Sequence, residues 1–177
     1  IRWDTERGRV KSERHLKLGA ITLRGEPLSA PDYEKVLKVF LVGIKEKGIG
    51  CLPWSRRLRR WQERVCFLRR LLKDDETWPD VSDEGLESNL VQWLAPYLAN
   101  MDRLSNLNRL DLKGALLSML TYERQKSLDA LAPTHLVVPS GSRIPIDYGS
   151  LVPVLAVRLQ EMFGLSKTPT VAGGRQP

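Results

Sequence analysis

"LPWSRRLRRWQERVCFLRRLLKDDE", residues 52–76, settles the class of the middle of this chain. Trp54, Leu58, Trp61, Val65, Leu68 and Leu72 recur at steps of four and three, which places them in one narrow stripe along a helix. Arg56, Arg59, Arg60, Glu63 and Arg70 lie opposite that stripe. Arg56 and Arg57 also fall in the first turn, where the positive end of the helix dipole disfavours a cation by about 0.3–1 kcal/mol. Local stability does not account for these arginines, so they are candidate contacts for a polyanion. Phe67 falls on the charged side, placed either to pack on a neighbouring segment or to present an aromatic surface beside them. Asp74, Asp75 and Glu76 have the wrong sign for a helix C-terminus and mark a loop.

Outward from this helix the text stays helical. On its N-terminal side, Ser29-Ala30-Pro31-Asp32 predicts a helix start with Ser29 as cap, and Gly48 ends that helix after about Lys47. Val36, Leu37, Phe40, Leu41 and Ile44 form its apolar face. On the C-terminal side, Ser82 caps a helix whose inner face is Leu86, Leu90, Trp93 and Leu94, and Pro96 ends or kinks it. Residues 104–131 read as two or three helical pieces with Asp111 and Thr121 as restarts. Residues 29–132 are thus expected to form a helical bundle.

Both flanks change to period two, the signature of half-buried strands. Ile1–Asp4, a turn at Thr5–Gly8, Arg9–Arg14 and Leu18–Leu23 make residues 1–28 an antiparallel ribbon or part of a small sheet. At the other end, Leu136–Val138 and Arg143–Tyr148 read as strands around a turn at Pro139–Gly141, with Ile144 and Ile146 on one face. Val152–Phe163 follows as a strand running into a short helix that Gly164 ends. The expected class is α+β, a central helical bundle flanked by antiparallel β elements, with residues 133–177 a β-hairpin plus a short helix.

The turn Ser140-Gly141-Ser142 with Arg143 admits two readings. It is first the bend of a hairpin; its backbone N–H groups and the neighbouring guanidinium also suit a phosphate, which glycine lets approach closely. Charge favours a polyanion elsewhere as well. The net charge is +7, but residues 1–73 hold 19 Lys and Arg against 8 Asp and Glu, whereas residues 74–177 hold 9 against 13. A basic half of this kind is the footprint of phosphate contacts, or else only a solvated surface.

Several chemistries find no support in the text. There is no G-x-x-x-x-G-K-[ST] loop, and Gly48-Ile49-Gly50 fails the dinucleotide pattern. His135, Ser140 and Asp147 are too close together on a hairpin to converge as a triad, and Asp74–Glu76 reads as a solvated acidic loop rather than a cation site. Cys51 and Cys66 lack metal-ligand spacing and fit a reducing cytoplasm. No membrane span or signal peptide is expected, and a chain opening at Ile1 reads as a piece of a longer protein.

"PTHLVVPSGSRIPIDY", "PVLAVRLQEMFGL" and "TPTVAGGR" together resemble the C-terminal part of HrpB-type ATP-dependent helicases, a bacterial branch of the DEAH/RHA group of superfamily 2. "WDTERGRV", "LGAITL", "LPWSRRLRRWQERVCFLRR" and "WLAPYL" resemble the same family in the same order. Pro145 departs from the basic or polar residue more usual in that family, which weakens the expectation that the second hairpin strand touches a phosphate there.

The resemblance implies an accessory region behind two RecA-like motor domains, with a helical bundle and an OB-like β unit, incomplete here, that close over a single strand. It implies ATP and magnesium for the parent helicase and none for these residues, which should not be catalytic alone. Single-stranded RNA or DNA and the RecA-like domains of the same chain are the expected partners. Arg56, Arg57, Arg59, Arg60, Ser140, Gly141, Ser142 and Arg143 are the expected nucleic-acid contacts. The alternative is a protein-docking module that touches no nucleic acid.

Overall fold

The computed structural model describes residues 1–18 and 21–175, with side chains described outside 15–25. Two compact units emerge, each assembled from separate stretches of chain: Ile1–Trp54 with Asp83–Ala115, and Ser55–Ser82 with the chain from Leu116 onward. The class is α+β, with short antiparallel sheets.

In the first unit, β1 (Arg2–Asp4) and β2 (Arg9–Lys11) pair antiparallel, with Trp3 opposite Val10. Gly8 turns the hairpin at φ +56°, in the left-handed region that favours glycine. β3 (Glu13–Leu18) and β4 (Ile21–Pro27) form a second antiparallel pair whose register shifts between Leu16 and Lys17. The half-burial expected of Ile21, Thr22 and Leu23, and Gly19 and Ala20 of the expected strand Leu18–Leu23, lie outside the described residues.

Helix α1 (Tyr33–Lys47) is capped by Asp32, whose Oδ1 accepts from the Glu34 and Lys35 N–H groups at 3.1 and 3.4 Å. Ser29 was the expected cap. Pro31 separates it from the first helical residue, so the carboxylate directly before Tyr33 takes the role. The Lys35 ammonium, 3.1 Å from Asp32 Oδ2, first, and the Lys35 backbone N–H after it, hold the Asp32 carboxyl below the ordinary range. The far end comes where expected, at Gly48 (φ +76°), and Val36, Phe40, Leu41 and Ile44 are buried.

The helix expected after Ser82 divides into α3 (Asp83–Ser88) and α4 (Leu90–Trp93), and its four inner residues are all buried. Ala95–Tyr97 continues as a single 3-10 turn, as Pro96 requires. Trp93 Nε1 donates to the Leu86 carbonyl at 2.9 Å, and the Ile49 N–H donates to Glu87 Oε1 at 3.3 Å. These bonds satisfy polar groups beside a core that includes Phe40, Ile44, Leu94 and Leu98.

Helix α5 (Leu112–Leu117) begins in the first unit and ends in the second, where α2 (Arg56–Leu71) packs on α6 (Tyr122–Leu131). Asp111 and Thr121 restart the chain as expected: Asp111 Oδ1 accepts from the Gly114 N–H, and Thr121 Oγ1 from the Arg124 N–H. β5 (His135–Val137), β6 (Arg143–Asp147) and β7 (Val154–Leu155) form one antiparallel sheet in chain order. Strand β7 is shorter than expected, and the chain goes on to a 3-10 turn at Leu159–Met162. No helix among the described residues is long and apolar enough to cross a membrane.

Tyr148 closes this sheet against α2. Its ring lies 5.1 Å from that of Phe67, and its hydroxyl donates to the Pro133 carbonyl at 2.7 Å. Burial pushes the phenol up to about 12, with the Arg64 charge acting in the opposite direction. The unfolded phenol ionises near 10, so stability from the neutral form is fully present below about pH 10 and lost as the pH rises towards 12. An absorbance titration is expected to show one of the four tyrosines ionising late, and Tyr148→Phe should remove that step. Four phenols titrating together near pH 10 would contradict it.

Candidate nucleic-acid interface

Ser55 fixes the start of α2, its hydroxyl accepting from the Leu58 N–H at 3.2 Å. Arg56, Arg57 and Arg60 project from the following turns and are exposed. None of the three has a hydrogen-bond or ion-pair partner among the described residues. Arg59 is different: its Nη1 donates to Gln62 Oε1 at 2.8 Å, and Gln62 Nε2 donates to the Val81 carbonyl at 2.7 Å. Arg56 and Arg60 are one turn apart on one face, whereas Arg57 lies about 100° round the helix. The cluster is a band of cations around the helix N-terminus, with Arg59 tethered at its edge.

The turn at Ser140–Arg143 is held by its own groups. The Val138 N–H donates to the Ser142 carbonyl at 3.0 Å, and the Gly141 N–H to the Val138 carbonyl at 2.8 Å. The Ser142 N–H reaches Ser140 Oγ at 3.4 Å, and Ser142 Oγ donates to Glu161 Oε1 at 3.2 Å. Two of the N–H donors that a phosphate would need are therefore occupied, and a carboxylate stands beside the third residue. Gly141 has φ +88°, as the bend requires. The exposed Arg143 side chain is what this turn offers to a partner.

Strand β6 separates the two groups. Its Tyr148 end meets the C-terminal half of α2 at Phe67, and Arg70 Nη2 donates to the Ser150 carbonyl at 3.2 Å. At about 3.4 Å per residue, the turn stands roughly 17 Å from that end. Phe67 is 2% exposed, so it packs on its neighbour and presents no aromatic surface.

The remaining polar sequence candidates resolve locally. His135 Nδ1 lies 3.0 Å from Thr134 Oγ1, and Asp147 Oδ1 accepts from the Gly149 N–H at 2.8 Å. Asp75 accepts from the Thr77 hydroxyl and pairs with Arg124 at 2.8 Å. These contacts, the Thr77 hydroxyl first, hold its carboxyl below the usual range. Arg124 in turn lies over the ring of the fully buried Trp78, 5.2 Å from its centroid.

Sequence reasoning missed Arg64. It is 6% exposed and aims at the C-terminus of α6, where Nε donates to the Ala132 carbonyl at 2.6 Å and Nη2 to the Leu128 carbonyl at 3.3 Å. Nη2 also pairs with Asp129 at 2.6 Å. A signal was available, because Arg64 stands three residues after Trp61 and four before Leu68, both buried.

The connector region of ATP-dependent RNA helicase HrpB matches residues 1–28 as a family model, and a model described as ATP-dependent helicase C-terminal matches residues 93–177. The ATP-dependent RNA helicase HrpB of Escherichia coli strain K12 is 37% identical over 178 residues, covering 100% of this chain and 22% of that protein. A crystal structure of the E. coli DExH-box NTPase HrpB superposes with a TM-score of 0.77 at 37% identity, over 99% of this chain and 22% of that one. A second, of the Escherichia coli DEAH/RHA helicase HrpB, gives 0.76 with the same identity and coverage. The chain therefore spans about a fifth of the length of the relatives it matches.

Proposed function

The chain belongs to the HrpB-type ATP-dependent helicases, as their connector and C-terminal region, and from that premise we propose that it is an accessory region that holds a single nucleic-acid strand for the motor. The observation that carries this reading is the band of Arg56, Arg57 and Arg60 around the α2 N-terminus. Three exposed cations sit there, Arg56 and Arg57 in the first turn against the helix dipole, with no acidic partner among the described residues. A phosphodiester backbone supplies the missing negative charge and makes the placement favourable. Arg143 extends the proposed contact, with Ser140, Gly141 and Ser142 shaping the bend that presents it, and Arg59 serves through its tether to Gln62.

The rest of the reading follows from division of labour. RecA-like domains elsewhere in the parent would bind ATP and magnesium and step along RNA or DNA in the cytoplasm. Among the described residues no group of three His, Cys, Asp or Glu is placed to hold a metal ion. Under the same proposal residues 1–28 are a connector, residues 29–132 a helical bundle and residues 133–177 part of an OB-like unit. The antiparallel order β5-β6-β7 is compatible with that last assignment.

Replacing Arg56, Arg57 and Arg60 together by Glu should weaken binding of a labelled single-stranded homopolymer at least tenfold. It should also reduce the steepness of log K against log salt by about 2, since each phosphate contact on a single strand contributes about 0.7. All three side chains are exposed, so far-ultraviolet circular dichroism should not change. Equal affinity and equal salt slope would sink the contact reading while leaving the family untouched. A docking role has its own support in the exposed Leu159 and Phe163 near the C-terminus; parent-motor contacts that survive nuclease treatment would favour it.

A further inference from the structure

A second group of cations gathers in the first unit, at a place where nothing in the sequence joins them. The β1–β2 turn supplies Arg7, β2 supplies Arg9, the last turn of α1 supplies Lys47, and an extended segment brings Arg103. They line one cleft of about 530 Å³, together with Glu6 and Ser105. Its walls are fixed by backbone bonds: the Leu104 N–H donates to the Gly8 carbonyl at 2.8 Å, and the Val10 N–H to the Asp102 carbonyl at 2.6 Å.

Arg9 and Arg103 face each other across an antiparallel bridge. Like charges directly opposite on neighbouring strands repel, so this pairing costs stability unless something neutral or negative intervenes. Arg103 is compensated in part by Asp102, at 3.0 Å from its Nε. Arg9 is not: its Nε is buried and has no hydrogen-bond partner among the described residues. A buried, unpartnered guanidinium donor is rare enough to require a reason, and a ligand oxygen supplies one.

We propose that this cleft is a second strand-binding site, which takes the sugar–phosphate backbone of a single-stranded nucleic acid through Arg7, Arg9, Lys47 and Arg103. The proposal rests on the reading that the region binds a strand, and it names a surface separate from the α2 arginines. Three guanidinium groups suit phosphate oxygens, which they engage with paired N–H donors. The volume falls within the range of about 300–1,000 Å³ that holds a nucleotide-sized ligand, more than one phosphate fills. No aromatic side chain lines the cleft, so bases have no stacking platform there and the contact is indifferent to sequence.

The test is a titration of a labelled single-stranded homopolymer with the full chain at several salt concentrations. Two double variants are compared with the parent: Arg9→Gln with Arg103→Gln, and Arg7→Glu with Lys47→Glu. The second pair is exposed, so it reads the charge of the cleft even where the first disturbs the hairpin. Each pair should weaken binding about tenfold and lower the salt slope by about 1.4, two contacts' worth. Each should also add to the effect of the α2 triple variant, as independent sites do.

Cleft variants that bind like the parent, while the α2 variant weakens, would overturn the inference and leave the function standing. Weakening by the cleft variants alone would uphold the cleft and remove the α2 arginines from the interface. Displacement of the strand by polyglutamate at equal charge concentration would assign the cleft to an acidic protein segment and overturn it as a nucleic-acid site.

Discussion

Replacing Arg64 by alanine is expected to destabilise the unit that contains α2 and α6 by about 3 kcal/mol. The guanidinium is 6% exposed and donates to the Ala132 and Leu128 carbonyls, at the end of a helix with no basic residue in its own last turn. Hydrogen bonds from a charged donor contribute about 1.5–3 kcal/mol, and a partly buried cation at a helix C-terminus up to about 2 kcal/mol. Truncation leaves the Ala132 carbonyl without this donor, beside a side chain that is fully buried, and removes the packed stem. Asp129→Asn should cost under about 1 kcal/mol, because the Asp129 side chain is 78% exposed and water replaces the lost ion pair. Urea unfolding and hydrogen exchange of the α6 amides read both changes. Equal losses for the two variants would show that the ion pair, and not the carbonyl contacts, carries the stabilisation.

Arg64 also shows where sequence periodicity stops being informative. The stripe Trp61, Val65 and Leu68 was legible because burial of apolar side chains follows the helical repeat, and all three are buried. An arginine on the same face reads as an interruption until the C-terminus of α6, more than sixty residues later in the chain, is seen to need a donor. Local signals fared better. Gly48, Asp111, Thr121 and the turn at Gly141 act within a few residues of themselves, and each does what its side chain or its freedom at positive φ predicts. The cap of α1 moved only from Ser29 to Asp32, a choice between two good caps that Pro31 decides.

The proposed interface divides along the same line. The arginines at the start of α2 stand out in the text because they offend the local dipole, and their exposure follows from sitting opposite an apolar stripe. Family resemblance singled out residues 133–148, yet the hydrogen bonds of the turn within them close on themselves and on Glu161. The basic cleft was illegible, since Arg9, Lys47 and Arg103 come from three distant parts of the chain, joined only by an antiparallel bridge and the end of α1. Long-range pairing of that kind leaves no periodic trace.

The hairpin that carries Arg7 and Arg9 depends on one glycine, and Gly43→Val is expected to cost the first unit about 3 kcal/mol. A Cβ built at Gly43 would lie 2.4 Å from two ring atoms of Trp3 and 2.6 Å from a third. The indole packs on the face of α1 that carries both this position and the fully buried Phe40, whose ring centroid is 6.1 Å away, so a Cβ at 43 pushes the ring off that face. Trp3 is also tied through β1 to Val10 in β2, so displacing the ring displaces the hairpin. Overpacking of this sort costs about 1–3 kcal/mol, and valine adds two methyl groups to the clash. Gly43→Ala decides the sign. In an unobstructed helix, glycine to alanine stabilises by about 1 kcal/mol; here the clash should outweigh that gain and leave a net loss. Pairing Gly43→Ala with Trp3→Leu removes the obstruction, and the pair should be more stable than the sum of the single losses by about 1–2 kcal/mol. Thermal unfolding of the four proteins supplies the cycle. Because the hairpin presents the cleft arginines, Gly43→Val should also weaken strand binding to the level of the Arg9 and Arg103 double variant. A stabilised Gly43→Ala would show that α1 and the hairpin are not packed through this glycine, and would take away the scaffold on which the cleft is built.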